Sequence, residues 1–186
     1  MLQLTPGAAS VSRRSEHISQ GEVRVTGDRA QCFGTLLGSC VATVLWDDEA
    51  HIGGLNHILL PSSTAQDPSN RGHEINLMEL LINGVLAQGA DRKQLQAKVF
   101  GGARMIDGLG TTGAANAAFV ERFLADEGIP IAAGSLGGRF ARRLRVWPTE
   151  GRVQQLKVRP TDDVQVALDD ESLRRRALRY SGVEIL

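Results

Sequence analysis

The chain lacks the features that would commit it to a membrane, a nucleic acid or a disulfide scaffold. Its 21 Lys and Arg residues are matched by 21 Asp and Glu, so no net field draws it to nucleic acid or anionic lipid. No apolar run approaches the roughly 18–20 residues needed to span a bilayer, and no membrane insertion is expected. The N-terminal residues show no continuous apolar stretch behind a basic start, so a secretory signal is not expected either. Only two cysteines occur, Cys32 and Cys40, too few for a disulfide framework. A reducing, cytoplasmic setting is the resulting expectation, and there a thiol stays available for chemistry. Metal chemistry also lacks its usual marks. There is no HExxH and no paired CxxC, and His17, His51 and His73 have no partner at ligand spacing, so neither metal nor cofactor is expected.

What is present reads as an ordinary globular chain. At 186 residues, with 42% hydrophobic and 23% charged, it is long enough for one substantial core. Residues 1–21 show no sustained period and read mostly as a flexible N-terminal arm. Strands are expected at 22–26, 32–37, 40–46 and 52–60, the last two forming a hairpin around Asp47-Asp48-Glu49. A polar loop follows from Pro61 to Gly72. Glu74 to Gln88 carries Leu77, Met78, Leu81, Ile82, Val85 and Leu86 on one stripe and stops at Gly89, the pattern of a buried-face helix. Further expectations are a strand at 96–100, a second helix from 111–113 to 127, a strand at 129–133, and a hairpin of 142–147 with 152–158. Residues 161–186 read as a C-terminal extension with a short helix capped by Asp169 or Asp170. Many strands with two principal helices predict an α+β fold of packed, sandwich-like mixed sheets flanked by helices.

Two residues stand out for chemistry. Cys40 follows Leu37-Gly38-Ser39 at the head of an apolar strand, where small residues let a carbonyl approach the backbone and nearby N–H groups. His57, in Gly53-Gly54-Leu55-Asn56-His57, lies near the far end of the hairpin's second strand. Antiparallel pairing brings the start of one strand across from the end of the other, so a thiol–imidazole pair is geometrically reasonable. A cysteine attacks as its thiolate and needs a base beside it. Each residue also has a plainer reading: Cys40 as a small buried hydrophobe, His57 as a core histidine bonded to a carbonyl. Gly101-Gly102 follows a strand but does not complete a phosphate loop. Cys32 reads as structural, and the arginines at 139, 142, 143 and 145 read as a solvated strand face.

Thr35-Leu36-Leu37-Gly38-Ser39-Cys40-Val41-Ala42 and Gly53-Gly54-Leu55-Asn56-His57-Ile58-Leu59-Leu60-Pro61 resemble the signature of the CheD family of chemoreceptor glutamine deamidases. Gly89-Ala90-Asp91-Arg92, Ala97 to Ala103, Asn116, Glu127 to Pro130 and Leu136-Gly137-Gly138 extend the resemblance in order. It implies a deamidase domain over 22–160 that hydrolyses glutamine amides on methyl-accepting chemotaxis receptors to glutamate and ammonia. Cys40 would be the nucleophile, His57 the general base and acid, and Thr35 the residue that orients His57. Gly38, Ser39 and Asn56 are the residues expected on the oxyanion and substrate side. The same chemistry accommodates a glutamyl methyl ester. The family fold resembles that of the cytotoxic necrotizing factor deamidases, and some members bind a CheC-type phosphatase, so a non-catalytic regulator is the alternative. The sequence departs from the family where Arg71-Gly72-His73-Glu74 stands in place of a tyrosine-bearing segment. It also departs at Thr112-Gly113-Ala114-Ala115-Asn116, where two charged residues are lost, and in the tail from Thr161.

Overall fold

A computed structural model describes residues 14–59, 72–104, 112–158 and 184–185. Along the chain run β1 (Arg14–His17), β2 (Val23–Thr26), β3 (Gln31–Leu37), β4 (Val41–Asp47), β5 (Ile52–Ile58), α1 (Gly72–Ala87) and β6 (Gln96–Gly101). Then follow α2 (Thr112–Asp126), β7 (Ile131–Leu136), β8 (Ala141–Trp147), β9 (Arg152–Val158) and β10 (Glu184–Ile185). The strands form two five-stranded sheets, ordered β1-β3-β8-β9-β10 and β2-β5-β4-β6-β7. Both are mixed, because β1 runs parallel to β3 and β6 parallel to β7 while the other pairs are antiparallel. The α+β expectation of packed sheets with few helices agrees with this architecture.

The sequence explains why the second sheet sits in the middle. β4 and β5 are near-continuous apolar runs, and every residue in both is buried, as required of strands covered on two faces. One face presents Ala42, Val44, Leu55 and Phe100 to Phe33, Leu37, Leu144, Val146 and Val153 of the first sheet. The other presents Val41, Leu45, Ile58 and Val99 to Leu77, Leu81 and Val85 of α1 and to Val120 and Leu124 of α2. Leu81 is fully buried there, and trimming such a leucine to alanine ordinarily costs about 2–5 kcal/mol.

Both helices end on the same device. Gly89 and Gly128 take left-handed φ of 108° and 69°, and Ala90 and Ile129 donate their N–H groups back to Val85 and Leu124. This is the six-to-one bond of a glycine-terminated helix.

β10 stands in the tail where only a short helix was expected, and two other strands differ from the sequence expectation in ways that matter to the packing. β7 begins at Ile131 and not at residue 129. Ile129 is spent closing α2 and is buried, and Pro130 offers only its carbonyl, to the Ala97 N–H at 2.9 Å. The second difference matters more. Arg14–His17, inside the stretch expected to be an arm, pairs in parallel with β3 from Arg14↔Gln31 to His17↔Gly34. Ile18 follows, fully buried, with its N–H on the Gly34 carbonyl at 2.8 Å. The short helix expected after Asp169 lies outside the described residues.

Candidate active site

Three described segments cross from one sheet to the other at the same end of the sandwich, residues 137–140 between β7 and β8 being one of them. Residues 18–22 carry the chain from β1 to β2, and Gly38-Ser39-Cys40 carry it from β3 to β4. The candidate site lies beneath these crossings.

The hairpin register pairs Ala42 with His57 and Val41 with Ile58. Cys40 stands one residue ahead of β4. It packs on the core between the sheets, the side to which Ala42 belongs and on which His57 meets Thr35. Gly38, Ser39 and Cys40 are all partly exposed, whereas His57 is buried beneath them.

Thr35 projects from the inner face of β3 in the opposite sheet, and its Oγ1 lies 3.0 Å from His57 Nδ1. The same Oγ1 lies 2.8 Å from the Ile18 carbonyl oxygen, and His57 Nδ1 is itself 3.4 Å from that oxygen. A carbonyl only accepts, so the Thr35 hydroxyl donates to Ile18, and Oγ1 is left to accept from His57. The imidazole proton therefore belongs on Nδ1. Nε2 keeps its lone pair, is buried, and meets no hydrogen-bond partner among the described residues. The Cys40 thiol does not bond to it in this structure.

Electrostatics favours a neutral pair at rest. Burial pushes the Cys40 thiol above its usual value, opposed by its own backbone N–H. Burial also pushes the His57 imidazole below its usual value, opposed by the Ile18 carbonyl. Both shifts disfavour the charged forms.

The Gly38-Ser39-Cys40 segment is held from behind. Gly101 has φ 113°, and a Cβ there would stand 2.1 Å from the Cys40 carbonyl oxygen. Only glycine lets β6 come that close. Gly102 N–H then donates to Cys40 O at 2.8 Å and Ala103 N–H to Gly38 O at 2.9 Å.

Not every expected residue joins the site. Asn56 neighbours His57 in sequence and so points to the opposite face of β5. Its Oδ1 accepts from Thr43 N–H at 2.9 Å, and its Nδ2 donates to Leu77 O and Met78 Sδ under α1. It is fully buried and ties hairpin to helix, which corrects its expected place on the oxyanion side. Arg142, expected on a solvated face, is instead buried, with Nε on Ser135 Oγ at 3.1 Å and NH2 on Gly137 O at 2.6 Å. It bridges the two sheets at their β7–β8 edge. Ile18, Gly101 and Gly102 were not legible as site residues, although a glycine pair closing a strand is the ordinary signal of close backbone approach. Among the described residues no cluster of His, Cys, Asp or Glu could hold a metal ion, and no helix is long and apolar enough to cross a membrane.

A thiol, an imidazole with a free Nε2 and a hydroxyl that orients the ring make up the class of site used in cysteine-nucleophile acyl chemistry. Residues 59–157 match the family described as CheD chemotactic sensory transduction. The chain is 51% identical over 143 residues to a probable chemoreceptor glutamine deamidase CheD of Caulobacter sp. (strain K31), covering 75% of each chain. It is 49% identical over 156 residues to the protein of that description from Rhizobium etli (strain CIAT 652), covering 82% of each. In the Cereibacter sphaeroides relative the identity is 46% over 152 residues, covering 82% of this chain and 75% of the relative. The chain belongs to the CheD family.

Proposed function

We propose that this protein hydrolyses the side-chain amide of selected glutamines on methyl-accepting chemotaxis receptors in the cytoplasm, giving glutamate and ammonia and so tuning chemotaxis signalling. The observation that carries the reading is the free, buried Nε2 of His57 on the face that Cys40 shares. Support for the substrate comes from the relatives, each named a probable chemoreceptor glutamine deamidase. The partly exposed Gly38-Ser39-Cys40 segment suits a glutamine presented on a protein surface better than a small molecule sealed in a cavity.

In the proposed sequence Nε2 takes the Sγ proton as sulfur bonds to the amide carbon, and the carbonyl oxygen becomes an oxyanion. Backbone N–H groups at Ser39 and Cys40 stabilise that charge. The intermediate collapses as Nε2–H protonates the amide nitrogen, the C–N bond breaks and ammonia leaves a thioester on Cys40. Water, losing a proton to Nε2, adds to the thioester. The C–S bond then breaks, sulfur recovers the proton, and glutamate is released. A glutamyl methyl ester would pass through the same thioester and release methanol. Two mixed sheets enclosing a thiol–imidazole pair also support a likeness to the cytotoxic necrotizing factor deamidase fold.

A second reading rests on residues 112–116, where the family's two charged residues are replaced by alanines. It is a non-catalytic regulator that binds receptors or a CheC-type phosphatase. Incubating the protein under reducing conditions with a receptor cytoplasmic fragment separates the two. Glutamine-to-glutamate conversion, read by peptide mass spectrometry, supports the deamidase, whereas stable binding without conversion supports the regulator.

A further inference from the structure

Asn116 lies on α2, far in sequence from the nucleophile, yet its Nδ2 donates to the Ser39 carbonyl at 2.7 Å. It is fully buried. The two flanking carbonyls are bonded as well, Gly38 O by Ala103 N–H and Cys40 O by Gly102 N–H. Three consecutive carbonyls leading into the nucleophile are therefore each held by a donor from the β6 end or from α2. Two of the donors are main-chain groups that any sequence could supply. Asn116 supplies the third, and it alone is a side chain.

The helix is placed to deliver it. A Cβ on Gly113 would meet Gly102 O at 2.6 Å and Ala103 O at 2.7 Å, so the first turn of α2 sits directly on the backbone that holds Gly38 and Cys40. Asn116, one turn further along, then reaches the carbonyl between them. A carbonyl turned toward α2 fixes the plane of the Ser39–Cys40 peptide, and with it the direction of the Cys40 N–H and the start of the Cys40 side chain.

We infer that Asn116 is a positioning residue for catalysis: by holding the Ser39 carbonyl it sets where the Cys40 thiol and the Cys40 N–H stand relative to His57 and an incoming carbonyl. The inference rests on the deamidase reading for its consequence in turnover, and on geometry alone for its consequence at the thiol.

Asn116→Leu keeps much of the side-chain volume and removes the donor; Asn116→Ala is the second variant should the first not fold. Each is compared with wild type in a Cys32→Ala background by two measurements, after circular dichroism has established the folded fraction. The first is deamidation of a receptor cytoplasmic fragment. kcat per folded molecule falls by roughly a hundredfold, the usual cost of about 1 Å of misplacement, while KM moves less than about threefold. The second is the pH profile of Cys40 alkylation by iodoacetamide, which needs no substrate. The profile of the variant moves down toward that of an ordinary thiol, because the sulfur leaves its buried seat. A variant with wild-type kcat, or with an unmoved alkylation profile, overturns the inference. Should wild type leave the receptor unchanged, the deamidase reading fails, and the alkylation profile still decides the role of Asn116.

Discussion

Thr35 and His57 stand in different sheets, and their side chains meet between them, Oγ1 to Nδ1, at 3.0 Å. The contact is therefore also a statement about sheet packing: the ring keeps this orientation only while the two sheets stay in register. Since the Thr35 hydroxyl donates to Ile18 O, its oxygen must accept from Nδ1–H. Thr35→Val keeps the shape and loses this acceptor. Initial rates of glutamine conversion should fall by about a hundredfold with KM nearly unchanged, and Thr35→Ser should recover most of the loss. Equal rates for Thr35→Val and wild type would remove Thr35 from the mechanism.

The Ile18 carbonyl completes that arrangement, although it belongs to a stretch of no apolar pattern. A chain lacking residues 1–18 loses β1 and the acceptor beneath Thr35 and His57. It is expected to turn over at less than a tenth of the wild-type rate per folded molecule, with near-ultraviolet circular dichroism giving the folded fraction. Full activity in that chain would show that His57 needs no acceptor from this segment.

Glycine placement gives a contrast between two sites. Gly101→Ala combines a left-handed φ with a Cβ 2.1 Å from Cys40 O. The strain of the backbone alone is about 1–3 kcal/mol, and relief of the clash must push the nucleophile segment away. Gly128→Ala has a left-handed φ but nothing within 4 Å of the added Cβ, so it should cost only about 1–2 kcal/mol. Urea midpoints and turnover together check the pair. Both variants lose stability, and Gly101→Ala alone loses activity.

The His57 shift carries a sign. Burial holds the folded-state pKa below the ordinary value of 6.5, so between the two values the unfolded chain binds more protons. The contribution to stability is full above pH 6.5 and is lost as pH falls through the lower, folded-state value. Urea midpoints measured from pH 8 down to pH 5 should decline more for wild type than for His57→Gln. The acid limb of kcat/KM should likewise fall below pH 6.5. An acid limb above that pH would contradict a buried, neutral base.

Much of this fold was legible where contacts are local. The 3.6-residue stripe of α1, with its Gly89 stop, and the β4–β5 and β8–β9 hairpins follow from periodicity and turn chemistry in adjacent residues. What escaped is non-local. β1 is four residues, Arg-Ser-Glu-His, and owes its strand to parallel pairing with β3 more than ten residues away, a contact that leaves no alternation in its own sequence. The division of strands between two sheets depends on every crossing between them, and the meeting of Thr35 and His57 on those at 18–22 and 38–40 among them. Asn56 could have been assigned from strand alternation alone, since two adjacent residues of β5 cannot both face the thiol. Asn116 could not, because only the packing of α2 on Gly102 and Ala103 brings it to Ser39.

The central claim concerns the Cys40 sulfur, and one experiment addresses it without intermediaries. Wild type and Cys40→Ala, equal in folded fraction, are incubated side by side with the same receptor fragment, and each glutamine-bearing peptide is followed by mass spectrometry. Wild type should convert selected glutamines to glutamate while Cys40→Ala converts none above the no-enzyme control. Conversion by Cys40→Ala at the wild-type rate would contradict the thioester route.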